Sequence, residues 1–317
     1  MPMTLAQAQN LSQSKLTNYV IDEFRKSALL DMLQFDNTVK PQGGKTLSYV
    51  YNRVTTLPTA ATRALNTEYT AQEAGTTQVT VNLAIFGGSF ELDRVLQYNE
   101  NQVLDLVQFQ LQQKAEAARA KFHDLFINGD KAVDPNGFEG LAKMIRGKST
   151  EITPAAAIDL SSSANIDTNW KAFMDVFRKI RSKMDGAPSL HLMNSDMFAV
   201  FQSVLDRAGL GVTSKDQYGG EVIQFGTTML MALGDKPGTS TPIIATDNSS
   251  GETDIYSIRL GMDGVHAVSP DGSSLVTPYM PDFTTPGAVK KGEVEMVAAA
   301  VAKSTRCAAV LHKIKIG

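Results

Sequence analysis

The chain has 317 residues, 43% of them hydrophobic and 20% charged, with a formal net charge of −3. This composition excludes a disordered polypeptide, and the mild acidity argues against a protein whose main task is gripping nucleic acid. No run of about eighteen apolar residues occurs, so no membrane-spanning helix is expected. The single cysteine, Cys307, can form no intrachain disulfide, which suits a reducing cytoplasm.

The opening residues, MPMTLAQAQNLSQSK, lack the basic and then apolar regions of a secretory signal. A helix is expected through Leu16, Val20, Phe24 and Ala28, continuing into Leu29, Leu30 and Leu33, because these recur on one helical face. Pro41, Gly43 and Gly44 break it. Two strands follow. TLSYVYNRV places Leu47, Tyr49 and Tyr51 on one face, and VTVNLAIF places Val79, Val81, Leu83 and Ile85 on one face. Between them, Thr55 to Gln78 is too long and too poor in large apolar groups for an ordinary loop in a packed domain. Gly87-Gly88 is read as a bend ahead of SFELDRVL, where Phe90 and Leu92 alternate with acidic residues.

The strongest helix comes next, from about Glu100 to Asn128, with Asn99 or Asn101 as N-cap and Gly129 as its stop. Val103, Val107, Leu111, Ala115, Ala118, Phe122 and Leu125 form its apolar face, which requires a sheet or another helix against it. An Ala/Ser-rich stretch, STEITPAAAIDLSSSAN, marks a unit boundary. A second helix from near Asp167 carries Trp170, Phe173, Phe177, Ile180 and Met184, and ends at Gly186. SLHLM reads as a buried strand. A third helix, capped by Asn194 and stopped at Gly209, carries Phe198, Phe201, Val204 and Leu205. GLGVTSKDQYGG reads as a flexible loop. Strands are expected at EVIQF, PIIAT, DIYSIRL and VHAV, and a closing pair at EVEMVAAAVA and RCAAVLHKIKI returns to the first region. The class is α+β.

No constellation for catalysis emerges. RGKST at Arg146 to Thr150 lacks the earlier glycine of a phosphate-binding loop, since position 142 is Ala142. DNSSGETD puts Gly251 at the fifth place from Asp247, not the sixth that a calcium loop needs, so it reads as a turn. His123, His191, His266 and His312 are scattered, with no metal-ligand spacing. Cys307, set in the last strand, reads as a small buried thiol. The basic runs Arg178 to Lys183 and Lys143 to Lys148 read as solvated faces. No enzyme activity, cofactor or metal is expected, and weight moves to a structural or interaction protein.

The order of elements then carries a resemblance. The stretches LLDMLQFDNTV to LPTAATRALNTEY, FINGDKAVDPNGFEGL and IYSIRLGMDGVHAV, set around a long two-stranded loop and a very long helix, resemble the major capsid protein of tailed bacteriophages with its Hong Kong 97-type fold. The resemblance covers nearly the whole chain. It implies an N-terminal arm at 1–44, an extended E-loop at 45–88, a discontinuous peripheral (P) domain at 89–150 and 278–317 whose spine is the long helix, and an axial (A) domain at 151–277. It implies a structural subunit that forms pentamers and hexamers and closes into an icosahedral shell around packaged double-stranded DNA, without tight or sequence-specific DNA binding. The expected location is the virion capsid, assembled in the bacterial host cytoplasm, with no membrane partner.

On this reading the E-loop tip packs on a neighbouring subunit. Leu57, Pro58, Leu65 and Tyr69 are the groups expected to bury, and Arg63, Glu68 and Glu73 to form ion pairs between subunits. Two departures matter. No lysine lies between Arg53 and Gln113, so no E-loop isopeptide cross-link is expected. The arm is short, so a separate scaffolding protein is expected, together with a portal and, as an option, a decoration protein. The alternative of the same fold is an encapsulin-like bacterial nanocompartment shell.

Overall fold

The computed structural model describes residues 29–39, 44–97, 106–210, 212–215, 221–272 and 276–317. The helix expected through Leu16 to Ala28, the caps Asn99 and Asn101, and Val103 of the helix face lie outside the described residues. Among the described residues, two large sheets and one two-stranded hairpin carry the chain.

The short helix α1 (Leu29–Met32) buries Leu29 and Leu30 and leads into β1 (Phe35–Asn37). Then β2 (Ser48–Thr56) and β3 (Gly75–Asn82) pair antiparallel as a two-stranded hairpin, and β4 (Ala84–Asp93) follows. VTVNLAIF is therefore not one strand. The Leu83 N–H donates to the Leu47 carbonyl at 2.8 Å, and the chain changes sheet there. Alternation is broken at this switch: Leu83 and Ala84 are both buried, whereas Ile85 and Leu47 are exposed.

Gly87 and Gly88 make no bend. They lie inside β4, paired with Glu295 and Val294. A side chain at 87 would overlap the Val294 carbonyl, and one at 88 would meet Lys114 of the long helix. Close approach, not turning, calls for glycine here.

After α2 (Arg94–Gln97), the long helix α3 (Leu106–Asn128) lies against β4 and β14 (Val289–Ala302). Its expected face holds over the described length: Val107, Ala118, Phe122 and Leu125 are buried, Leu111 and Ala115 half-buried. Phe122 is the centre of the core, with ring centroids 6.4 Å from Phe35, 6.2 Å from Phe86, 6.1 Å from Phe126 and 5.7 Å from Phe138. Such tilted aromatic packing adds to simple area burial. The helix stops at Gly129, where any side chain would strike the Phe138 carbonyl. The turn region beyond holds a further short helix, α4 (Leu141–Ile145).

The chain then builds β5 (Glu151–Ile152), β6 (Ile158–Asp159), α5 (Ser163–Lys183), β7 (Leu190–Met193), α6 (Ser195–Ala208), β8 (Val212–Lys215), β9 (Glu221–Phe225), β10 (Thr228–Ala232), β11 (Glu252–Ile258), β12 (Val265–Ser269), β13 (Thr277–Tyr279) and, after β14, β15 (Ala308–Lys315). Helix α5 starts four residues before Asp167 because Ser162 caps it, its hydroxyl accepting from the Asn165 N–H. Asn194 and Gly209 cap α6 as expected, Gly209 in the left-handed region at φ 65°. Trp170 and Phe198 are only half-buried; Met197 takes a core place instead.

Three further expectations need correction. Val212–Lys215, within the expected flexible loop, pairs with β9. PIIAT forms no strand, although Ile243 and Ile244 are buried, and Thr228–Ala232 takes the strand position beside β7. The closing strands do not stay together. β14 joins β4, β12, β13 and, through β12, β1 in a five-stranded sheet, whereas β15 joins β5, β6 and β11 in an eight-stranded one. Sheet membership thus crosses the ranges expected for the P and A domains. Cys307 sits just before β15, fully buried, with its thiol pushed up to about 11 by burial.

Candidate assembly surface

The hairpin is the feature that the fold of one chain does not consume. Its base is docked. Along β2, Tyr49, Tyr51 and Arg53 face the body and alternate with exposed Val50, Asn52 and Val54. The Arg53 guanidinium donates from Nε to the Lys303 carbonyl at 2.8 Å, and from Nη2 to the Ala302 carbonyl at 2.8 Å and the Tyr51 hydroxyl at 2.9 Å. The Tyr51 hydroxyl donates to the same Ala302 carbonyl at 3.1 Å. Tyr49 donates to Asp36 at 2.7 Å and meets His266 edge-on at 5.8 Å, with the Lys303 ammonium 5.5 Å from its ring.

Electrostatics keep this base in one ionic form. Burial, then the Asp36 carboxylate, push the Tyr49 hydroxyl well above its usual range. Burial opposes charge on Asp36, but the Tyr49 hydrogen bond, the Asn37 N–H and Lys303 hold its carboxyl below the ordinary value. Burial, with Lys303 adding to it, lowers the His266 imidazole. A neutral tyrosine, a charged aspartate and a neutral histidine follow. A cavity of about 230 Å³ lies beside this base, between Tyr51, Arg53 and Val81 of the hairpin and Glu139, Met144 and Lys148 of the body.

The far end is different. Residues 57–74 are exposed throughout. Leu57 is 79% exposed, Leu65 88% and Tyr69 62%, and Pro58 is exposed with them. The hydrogen bonds of the tip close within it: Thr59 N–H to Gln72 at 2.9 Å, Thr67 to Ala64 at 2.8 Å, and Arg63 to the Thr67 carbonyl at 3.2 Å. Arg63 also sits 5.4 Å from the Tyr69 ring. Among the described residues, Arg63, Glu68 and Glu73 form no ion pair within the chain. The structure therefore places all seven expected contact residues together on one projecting, uncovered tip. Leaving three large apolar side chains in water forfeits burial worth about 1.5–3 kcal/mol each.

Among the described residues no group of three His, Cys, Asp or Glu side chains could hold a metal, and no helix is long and apolar enough to cross a membrane. The residues Arg146 to Lys148 form an exposed turn. At Asp247 the carboxylate accepts from the Ser249 N–H at 2.7 Å within a turn, as expected, but only its C-terminal flank is a strand. The docking residues Arg53, Tyr51 and Tyr49 were not expected as a unit. Their signal is the polar, aromatic inner face of a strand that lacks the aliphatic residues of a sheet core.

Comparison with known proteins identifies the fold. No family model matches the sequence, and no curated protein matches it. Among solved structures, the holo-SrpI encapsulin complex from Synechococcus elongatus PCC 7942 superposes with a TM-score of 0.68 at 13% identity, covering 99% of this chain and 97% of that one. The capsid of an empty GTA particle gives 0.65 at 12% identity, with 98% of each chain covered. The capsid of Myoviridae phage XM1 gives 0.60 at 13% identity, covering 98% and 99%. The chain has the Hong Kong 97-type fold of these shells, as the sequence resemblance implied.

Proposed function

We propose that this chain is the subunit of a self-assembling protein shell, and that its role is the major capsid protein of a tailed bacteriophage. The observation that carries this reading is the hairpin. Its base is hydrogen-bonded to the body, while at its tip Leu57, Pro58, Leu65 and Tyr69 are left exposed by the described residues. Apolar groups held out on a braced arm are stabilised only by a surface that another molecule supplies. In a fold shared with two capsids and an encapsulin, that molecule is a second copy.

On this reading Arg63, Glu68 and Glu73 fix the register of tip and neighbour, and identical contacts repeated around rings give pentamers and hexamers that close into a shell. The protein acts without catalysis or cofactor. Its partners are copies of itself, a scaffolding protein, a portal and, as an option, a decoration protein, and it encloses DNA that its net charge of −3 does not grip. Assembly takes place in the host cytoplasm and the product is the virion capsid. A second reading, a nanocompartment shell, draws support from the TM-score of 0.68 to the encapsulin.

Expression of the chain in bacteria, followed by electron microscopy and nucleic-acid assay of the purified particles, tests both. Closed shells that fill with DNA when the phage packaging genes are co-expressed support the virus. Closed shells that never take DNA, and that carry a protein cargo, support the nanocompartment.

A further inference from the structure

His312 occupies an unusual place in the eight-stranded sheet. The ladder between β11 and β15 pairs Ile255 with Leu311 and then Thr253 with Ile314, so Asp254 alone faces both His312 and Lys313. This is a β-bulge, and Lys313 in it adopts φ 60°, a left-handed conformation that a side chain of its kind rarely takes. The side-chain pattern records the extra residue: Leu311 and Ile314 both enter the core beneath α5 and α6, although strict alternation would separate them. Strain held in a bulge re-aims a side chain, and here that side chain is His312.

Its two ring nitrogens meet two carboxylates. Nδ1 lies 2.8 Å from Asp254 Oδ1 and Nε2 lies 3.4 Å from Glu151 Oε1. A neutral imidazole has one N–H to give, so it would set a lone pair against one of these anions; only the cation donates to both. Glu151 in turn accepts the Gly147 N–H at 2.6 Å. The edge this reaches is thin. β5 and β6 cover the outer side of β15 with two residues each. The other charged or titratable groups close to the pair are Tyr256 on β11, whose hydroxyl burial keeps neutral, and Arg146 ahead of β5, with Lys313 beside His312 in the bulge. The Asp254 hydrogen bond and the charges of Asp254 and Glu151 raise the imidazole above its ordinary value against the effect of burial.

We propose that His312 is a proton-operated tie: as the imidazolium it bridges Asp254 and Glu151 and holds the 148–159 segment, which carries the chain into the second sheet, and loss of its proton frees that segment. The inference rests on one chain and stands whether or not the chain builds a shell. Because the folded form binds the proton more tightly, the tie is complete below the ordinary histidine value of about 6.5 and fails as pH rises through the higher folded value.

Exchange of the histidine C2 hydrogen followed by mass spectrometry reads each histidine's titration in the intact protein, and amide exchange reads the segment. We expect a midpoint for His312 above about 6.5, with His123, His191 and His266 below it. The protection factor of residues 151–159 should drop on the order of tenfold between pH 6 and pH 8.5, and His312→Gln should remove that drop. Glu151→Gln, which removes one anion and keeps the histidine, should lower the His312 midpoint; it serves also if His312→Gln does not fold. A His312 midpoint at or below 6.5, or an equal loss of protection in wild type and His312→Gln, would overturn the proposal.

Discussion

Arg53 Nε donates to the main-chain oxygen of Lys303 at 2.8 Å, joining two residues 250 positions apart in the chain. With its Nη2 on Ala302, this one side chain grips two successive carbonyls where β14 ends. These hydrogen bonds to main chain add to the packing of Tyr49, Tyr51 and Val81 against the core in bracing the hairpin. Arg53→Ala should therefore cost about 2 kcal/mol, the range for charge-assisted bonds, and loosen the hairpin selectively. Amide exchange should show Tyr49 to Thr55 losing protection while Phe122 and its surroundings keep theirs. Equal loss in both places would mean that Arg53 supports the whole fold.

The glycines of the long sheet make a graded prediction. Gly292 lies under the Phe90 ring, its cross-strand partner, and an added Cβ would overlap that ring. Gly292→Ala asks a side chain to move and should cost about 1–3 kcal/mol. At Gly87 the obstacle is the Val294 carbonyl, which cannot move without breaking the β4–β14 ladder. Gly87→Ala should be the worse of the two, read as loss of soluble protein or a larger fall in melting temperature.

Those glycines also mark how far the sequence was legible. Period and caps reveal elements whose partners are local or whose faces are continuous. The face of α3 from Val107 to Leu125 and the caps Asn194 and Gly209 are of this kind. The switch at Leu83 is not, because a run of alternating apolar residues looks alike whether it serves one sheet or two. Nor is the parting of β14 and β15, since two adjacent apolar strands joined by a short turn read as a hairpin. The bulge at His312 and Lys313 leaves no trace in composition. The exposed tip was legible through what it lacks: a stretch from Thr55 to Gln78 with too little apolar surface to fold on its own.

Acid should destabilise the protein through its buried histidines, His123 and His191 the most strongly shifted and His266 lowered as well. Burial pushes His123 down to about 4 and His191 down to about 3. The unfolded chain binds protons that the folded one refuses, so stability is complete above about 6.5 and falls as pH drops toward those values. For His123 the loss by pH 4 is on the order of 3 kcal/mol. Denaturant titrations of the wild type and a His191→Asn variant between pH 7 and pH 4 should show a shallower slope in the variant. Parallel slopes would mean that His191 is protonated at no cost in the fold.

Charge at the tip should act on assembly alone. Among the described residues, Arg63 bonds only within the tip and to the Tyr69 ring. Arg63→Glu should leave the melting temperature of the free subunit unchanged, within about 0.5 kcal/mol of stability, and lower shell yield. Unchanged yield would remove Arg63 from the contacts between copies.

The most direct test is particle mass by light scattering, with negative-stain microscopy, for the wild type and a Leu57→Ser, Leu65→Ser, Tyr69→Ser variant. We predict closed shells or capsomer-sized rings for the wild type, and a folded, small species for the variant with the same circular dichroism. A wild type that stays monomeric or dimeric under every condition, with its 55–78 segment resistant to protease, would contradict the assembly account.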